Sequence, residues 1–137
     1  GEVPPESVAL IARKLADLGC AEIVISDTTG HAFPDQVTKV LTHTMKHLPA
    51  ENLALHMHDT AGRALLNVQE GWRMGIRRFD SAAGGLGGCP YSPGAAGNVR
   101  TESLLQLFEQ LGTPTGVNLD AVRDASKFIR QQIPEKA

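Results

Sequence analysis

The sequence predicts an α/β fold in which a parallel sheet packs against helices. Short, β-branched apolar segments alternate with segments whose apolar residues recur at helical spacing. Glycine, proline and asparagine separate these segments. The chain has 137 residues, 42% of them hydrophobic and 20% charged, which is enough for one domain with its own core. The resulting order, αβαβαβαα, is a succession of βα units and therefore calls for parallel strands.

Each element has its own local signal. The first helix follows Pro4 and Pro5 and ends at Gly19, and a second begins at Pro34. Asn118 is the expected cap of the last helix. The remaining helices are predicted over 61–74, 99–111 and 119–133, and the strands over 21–26, 53–58 and 76–81. In the first helix, the apolar residues that recur at helical spacing are Val8, Ile11, Leu15 and Leu18.

Three parallel strands leave two open sheet edges, which proteins cover or pair. A complete (β/α)₈ barrel needs about 250 residues, roughly twice this length. Two architectures are therefore consistent with the pattern. One is part of a larger closed barrel, and the other is a small open sheet with further irregular strands.

Composition excludes several functional classes. Thirteen basic and fifteen acidic residues give a net charge of −2, which argues against nucleic-acid or membrane-surface binding through net positive charge. The sequence contains no apolar run long enough to span a bilayer and no visible signal peptide. Cys20 and Cys89 are expected to be reduced thiols in a cytosolic setting.

The sharpest chemical feature is His56-Met57-His58-Asp59 at the end of the second predicted strand. Side chains alternate along a strand, so both histidines point to one side, about 7 Å apart along the chain. Two imidazoles on one face can reach a common metal ion, and α/β active sites gather at the carboxyl ends of strands. The alternative interpretation is that the two histidines lie near the strand end without a shared function and that Asp59 caps the following helix.

Asp27 occupies the matching place on the preceding strand. A carboxylate there is either catalytic or a cap for the following loop, and the residue pattern alone favours the cap.

A glycine-rich stretch over 84–98 can bring backbone close to a ligand. Cys89 lies in this stretch and is either reactive or merely tolerated. Asn98 at its end is either a helix cap or a source of an amide oxygen for a metal.

Three motifs together resemble one enzyme family. They are His56 to Gly62 (HMHDTAG), Gly85 to Tyr91 (GLGGCPY) and Gly94 to Asn98 (GAAGN). Their order and spacing are similar to those of the 3-hydroxy-3-methylglutaryl-CoA lyases, metal-dependent enzymes built on a TIM barrel. Synthases and the carboxyltransferase domain of pyruvate carboxylase share the histidine strand, whereas the cysteine loop points to the lyases.

The resemblance implies that residues 1–137 form the C-terminal portion of one TIM-barrel domain, about three βα units and the C-terminal helices. It further implies a divalent cation, Mg²⁺ or Mn²⁺, bound by His56, His58 and Asn98. Cys89 and Asp27 would be catalytic. Gly87 and Gly88 would contact substrate. The family's Arg-Asp pair on the first strand has no counterpart here, so this chain would hold only part of the metal shell.

The implied reaction is cleavage of 3-hydroxy-3-methylglutaryl-CoA to acetoacetate and acetyl-CoA. Alternatives are a Claisen-type synthase or aldolase on the same scaffold and a non-catalytic barrel fragment. The implied partners are an acyl-CoA substrate, the N-terminal half of the barrel and further copies in a homodimer or higher oligomer. The resemblance implies a cytoplasmic, bacterial-type protein, with the mitochondrial matrix as the alternative location.

Overall fold

The computed structural model describes residues 3–88 and 97–133, and these residues form a three-stranded parallel sheet with helices packed against it. The helices are α1 (Pro5–Asp17), α2 (Pro34–Thr44), α3 (Ala64–Arg73), α4 (Thr101–Gln110) and α5 (Leu119–Gln132). The strands are β1 (Ile23–Asp27), β2 (Leu53–Met57) and β3 (Phe79–Asp80), and short 3₁₀ turns cover Ala50–Asn52 and Ala83–Gly85. The predicted α/β class and element order are therefore confirmed. No helix within the described ranges combines the length and apolar character needed to cross a bilayer.

The sheet runs in the order β1-β2-β3, so β2 is central. Ser26 lies opposite His56 in the β1–β2 ladder, and Asp80 lies opposite His56 in the β2–β3 ladder. The carboxyl ends of all three strands therefore meet around one histidine. Within the described residues, β1 and β3 each pair on one side only, so the sheet has the two open edges expected from its strand count.

The two faces of the sheet differ in how far they are covered. Alternate β2 residues Leu53, Leu55 and Met57 are buried in a core with the helices, together with Leu41 of α2 and Val68 of α3. The opposite face carries His56 on β2 and Val24 and Ser26 on β1. Val24 is 41% exposed and Ser26 is exposed, so the described residues cover this second face only in part.

The larger apolar residues of α1 do not form its buried face. Ile11 is 58% exposed and Leu18 82% exposed, whereas Ala9 and Ala12 are buried. The alanines allow α1 to approach α2 closely, and that contact turns the larger residues outward. Apolar spacing located the helix but not the side on which it packs.

The third strand is shorter than predicted, covering Phe79–Asp80 rather than 76–81. Gly75 has a φ of +99°, which turns the chain sharply after α3. The Arg77 guanidinium then lies 3.7 Å from the centre of the Trp72 ring and donates to the Trp72 carbonyl. These contacts hold the start of the predicted strand against α3 instead of in the ladder.

Candidate functional site

The two histidines of β2 meet in space. The Nε2 atoms of His56 and His58 are 3.1 Å apart, and the ring centres are separated by 5.1 Å. His56 is the fourth residue of β2, and His58 follows the last one, so strand alternation places both rings on the same side. The predicted shared face is thus observed at the carboxyl end of the central strand.

His58 is the more buried of the two, with 8% of its surface exposed. Burial lowers the pKa of its imidazole below the ordinary 6.5, and His56 lowers this pKa further, whereas the Asp27 carboxylate raises it. The net direction is downward, which favours the neutral ring at neutral pH. A neutral imidazole has a free lone pair and is the form that binds a metal ion. Its Nδ1 atom is buried without a hydrogen-bond partner in the described part of the chain.

His56 faces a carboxylate on the neighbouring strand. Its Nδ1 lies 3.6 Å from Oδ2 of Asp80, which is its partner in the β2–β3 ladder. A carboxylate beside Nδ1 favours a proton on that nitrogen and leaves the Nε2 lone pair directed towards His58. Sequence analysis missed Asp80. The available signal was its position at the end of the third strand, where parallel pairing brings it beside the histidine strand.

Asn98 is brought to the histidines by the backbone. Residues His58 and Asn98 form an antiparallel bridge, flanked by hydrogen bonds from the Asp59 amide to the Gly97 carbonyl (2.8 Å) and from the Val99 amide to the Met57 carbonyl (3.1 Å). Asn98 Nδ2 donates to the Leu86 carbonyl at 2.9 Å. This bond engages the nitrogen of the amide and leaves Oδ1 as the atom that a cation would take.

These residues fit a divalent cation. Two neighbouring ligands of an octahedral ion, each roughly 2.1 Å from it, lie roughly 3 Å apart, which matches the separation of the two Nε2 atoms. Amide oxygen is a suitable ligand for both Mn²⁺ and Mg²⁺, whereas imidazole is more typical of transition-metal ions. Among the described residues, no three His, Cys, Asp or Glu side chains cluster closely enough to hold a metal. The histidine pair and Asn98 would therefore supply three donors, and a cation held here would take its remaining ligands from elsewhere.

Asp27 has a clear structural task. Its Oδ1 accepts the backbone N–H groups of Gly30 (3.0 Å) and His31 (3.3 Å), and its Oδ2 accepts that of Ala32 (2.9 Å). The ladder pairs it with Met57, on the sheet face that carries the helices. Asp27 therefore caps the β1–α2 loop, as the residue pattern favoured. Its charge still acts on His58, and its catalytic role stays a prediction.

Asp59 is the predicted N-cap of the third helix, but α3 begins at Ala64 and its N-cap residue is Arg63. Asp59 instead accepts the backbone N–H of Ala64 from five residues earlier, at 3.0 Å. Arg63, which directly precedes α3, makes further contacts that the sequence did not predict. Arg63 donates to the carbonyls of His31 (2.7 Å) and Ala32 (3.2 Å), and its guanidinium lies 4.0 Å from the centre of the Phe33 ring. The loops that follow β1 and β2 are thereby joined beside the histidine pair.

Two further predicted residues lie at the edge of the described chain. Gly87 has a φ of +107°, and a Cβ there would lie 2.6 Å from Asn98 Nδ2, so only glycine allows this approach. Gly88 is exposed and has open space around its Cα. Cys89, the predicted catalytic thiol, lies outside the described residues. The substrate and catalytic roles of all three remain predictions.

Two surface grooves lie away from this site. Each has a volume of about 440 Å³, and none of the residues lining them is His56, His58 or Asn98. The residues common to both grooves are Leu105, Thr113, Pro114, Thr115 and Val117. We place the candidate site at the histidine pair because two imidazoles meet there and the backbone of Asn98 is bridged to one of them. The grooves offer volume without such a group of donors.

The chain is similar to known proteins over almost its whole length. Residues 1–129 match the family model described as HMGL-like. The chain is 49% identical over 133 residues to hydroxymethylglutaryl-CoA lyase of Pseudomonas mevalonii, covering 97% of this chain and 44% of that protein. It is 43% identical over 129 residues to (R)-citramalyl-CoA lyase of Chloroflexus aurantiacus, covering 94% of this chain and 41% of that protein.

A solved structure gives the same result. The crystal structure of hydroxymethylglutaryl-CoA lyase from Pseudomonas aeruginosa superposes with a TM-score of 0.95 at 40% identity, over 99% of this chain and 45% of that one. This chain thus spans less than half the length of the relatives it matches. The resemblance inferred from the three motifs and the partial-barrel fold are confirmed, and the chain belongs to the HMGL-like family.

Proposed function

We propose that this chain is the C-terminal part of an acyl-CoA lyase that cleaves 3-hydroxy-3-methylglutaryl-CoA to acetoacetate and acetyl-CoA. One observation carries the proposal: two imidazole Nε2 atoms 3.1 Å apart at the carboxyl end of a parallel strand, with Asn98 bridged to the second histidine. The 49% identity to a hydroxymethylglutaryl-CoA lyase supports the choice of substrate. Residues 1–137 would belong to one barrel domain.

His56, His58 and Asn98 would hold the cation, Mg²⁺ or Mn²⁺. When bound, such an ion supplies a Lewis acid that binds substrate oxygens and makes a hydroxyl group easier to deprotonate. The residues' own contribution is to fix the donors before substrate arrives. Asp80 orients His56, burial keeps His58 neutral, and Leu86 holds the Asn98 amide.

The cleavage is a retro-Claisen reaction. The tertiary hydroxyl of the substrate loses its proton, and the oxygen becomes the ketone oxygen of acetoacetate. The adjacent C–C bond breaks, and its electron pair passes to the carbon that becomes the methyl group of acetyl-CoA. That carbon then takes up a proton. We assign this proton to the Cys89 thiol, with Gly87 and Gly88 allowing substrate close to the backbone. The base that removes the hydroxyl proton is either Asp27 or the assembly around His56.

The remaining partners follow from the same proposal. The other half of the barrel would pair with the free edges of β1 and β3 and supply the missing cation ligands. We expect a homodimer or higher oligomer, and a cytoplasmic protein of bacterial type, with the mitochondrial matrix as the alternative.

The name of one relative, (R)-citramalyl-CoA lyase, favours a second candidate substrate of the same chemical class. Assays of the intact protein with both thioesters, and of acetyl-CoA condensation with a 2-oxo acid, separate these activities from a synthase.

The decisive experiment replaces a proposed ligand in the intact protein. His58→Ala removes a donor from the pair, and we expect Mn²⁺ affinity to fall by at least about tenfold and lyase turnover to be lost. His47→Ala is the matched control, because His47 is exposed and has no assigned chemistry. Mn²⁺ binding is read by electron paramagnetic resonance and turnover by acetyl-CoA release.

Cys89→Ala completes the set by separating metal binding from proton transfer. We expect it to bind Mn²⁺ as wild type does and to lose turnover. Unchanged metal affinity in His58→Ala would refute the proposed site, and retained turnover in Cys89→Ala would refute the assigned proton donor.

A further inference from the structure

The Asn98 side chain is supported by a tight turn rather than by its own helix. Its Nδ2 donates to the Leu86 carbonyl, which directly follows the 3₁₀ turn Ala83–Gly85. A Cβ on Gly85 would lie 3.2 Å from the Asn98 carbonyl oxygen, and Gly87 approaches Asn98 Nδ2 still more closely. Any shift of this turn would therefore be transmitted to the Asn98 amide.

The turn is itself held by side chains from elsewhere in the chain. Both carboxylate oxygens of Glu102, on α4, accept the Gly84 N–H, at 3.0 and 3.1 Å. The Gly84 carbonyl accepts hydrogen bonds from Arg100 Nε at 3.2 Å and from Arg130 Nη2. Both backbone polar groups of Gly84 are thus satisfied by charged side chains, and charge-assisted hydrogen bonds are stronger than neutral ones.

Helix α5 contributes two of the residues in this network. Arg130 reaches Gly84 directly. Ser126 is the buried residue of the helix, and its hydroxyl lies within hydrogen-bonding reach of the Glu102 carboxylate and of the Val122 carbonyl. The charged carboxylate is the stronger acceptor of the two. A Cβ on Gly84 would lie 3.1 Å from Arg130 Nε and 3.4 Å from Ser126 Cβ, so α5 packs directly on the turn.

We propose that Ser126 and Arg130 are positioning residues for the metal site: they hold the 83–86 turn in place, and the turn holds the Asn98 amide. The inference rests on the proposed function, because it takes Asn98 as a cation ligand. It assigns a role to the last helix of the described chain, none of whose residues is among the cation donors proposed above. Loss of either residue should loosen the Asn98 amide and weaken cation binding.

The test follows the Asn98 amide in the intact, metal-free protein labelled with ¹⁵N-asparagine. We expect Ser126→Ala and Arg130→Gln to shift the side-chain N–H resonances of Asn98 and to speed their exchange with water. Both variants should also weaken Mn²⁺ binding by about tenfold, as expected for a residue that supports a ligand. Lys127→Ala is the control, because Lys127 is an exposed neighbour on the same helix and, among the residues described, pairs with Asp124 rather than with the turn. It should leave both readouts unchanged.

Conservative variants distinguish positioning from general stability. Ser126→Thr retains the hydroxyl and Arg130→Lys retains the charge, so each should restore part of the Asn98 signal and of the Mn²⁺ affinity. If Ser126→Ala or Arg130→Gln fails to fold, the conservative variant at the same position is measured in its place. Unmoved Asn98 resonances in folded variants at both positions would overturn the proposal. If the wild-type protein binds no Mn²⁺ but the variants still shift the Asn98 resonances, the proposed function is refuted. The coupling of α5 to Asn98 through the turn would then still stand.

Discussion

At the residue scale, the arrangement depends on how each imidazole is oriented. Asp80 Oδ2 lies 3.6 Å from His56 Nδ1, and the His56 Nε2 faces His58. The carboxylate favours the tautomer in which Nδ1 carries the proton, which leaves Nε2 free to bind a cation. Under the proposed function, Asp80 would therefore act on the cation through His56. Its side chain is 56% exposed.

Replacing Asp80 by Asn tests this role. We expect Asp80→Asn in the intact protein to weaken Mn²⁺ binding by about tenfold. This is the lower end of the effect seen for residues that support a metal ligand, because solvent screens the exposed carboxylate. Asp124→Asn is the control, since Asp124 is an exposed carboxylate on α5 paired with Lys127. Mn²⁺ titration followed by electron paramagnetic resonance measures both. Equal affinity in Asp80→Asn and wild type would show that Asp80 does not orient His56.

Some single residues could be predicted from the sequence and others could not. The His56–His58 pair follows from strand alternation alone, because two residues separated by one on a strand share a face. The residue pattern left Asn98 open between a helix cap and an amide donor, and only the family resemblance implied a metal ligand. In the structure the N-cap of α4 is Arg100, and Asn98 bridges to His58 instead. That contact joins residues 40 positions apart, and local patterns carry no information on such a distance.

At the element scale, α4 and α5 are joined through Glu102. Partial burial, the largest single effect, raises the pKa of the Glu102 carboxyl, but hydrogen bonds from Ser126 and from backbone N–H groups, together with the charge of Arg100, outweigh it. The net pKa is below the ordinary value of 4.5. A carboxyl group whose pKa is lower in the folded state than in the unfolded state contributes its full stabilisation at pH values above the unfolded-state pKa. That contribution is lost as the pH falls through the folded-state pKa.

Acid unfolding therefore tests the contact between the two helices. We expect Glu102→Gln to lower the free energy of unfolding at neutral pH, and the difference from wild type to shrink as the pH falls below 4.5. Urea unfolding at several pH values measures this difference. Glu109→Gln, at an exposed position on the same helix, is the control and should show no such trend. A difference that stays constant with pH would contradict the pairing of Glu102 with Ser126 and Gly84.

Helix positions were easier to predict than helix faces. Asn118 caps α5 as expected, through a 3.0 Å hydrogen bond from the Ala121 N–H, and Pro34 begins α2. The buried side of α5, however, carries Ser126, whereas Ile133 is 48% exposed. Caps and breakers act through neighbouring backbone and are visible locally. A buried face depends on the surface that the helix meets, here a glycine turn more than 40 residues away.

At the scale of the whole molecule, the sheet is incomplete in the described residues. β1 and β3 each have a free edge, and Val24 and Ser26 are exposed on the face that carries His56. Strand count and chain length indicated this, but they could not decide between part of a barrel and a small open sheet. The comparison with proteins more than twice as long resolves that alternative in favour of part of a barrel.

This incompleteness gives the last prediction: the isolated 137-residue chain has no lyase activity, whereas the intact protein turns over 3-hydroxy-3-methylglutaryl-CoA. The described residues supply two imidazoles and one amide towards a cation, and they include no third His, Cys, Asp or Glu in the cluster. Acetyl-CoA release by equal amounts of the two proteins, with excess Mn²⁺, measures the difference. Adding the separately expressed remainder of the barrel should restore turnover to the 137-residue chain, because it pairs the free edges and completes the ligand set. Full activity of the chain alone would mean that residues 1–137 contain every group the reaction needs.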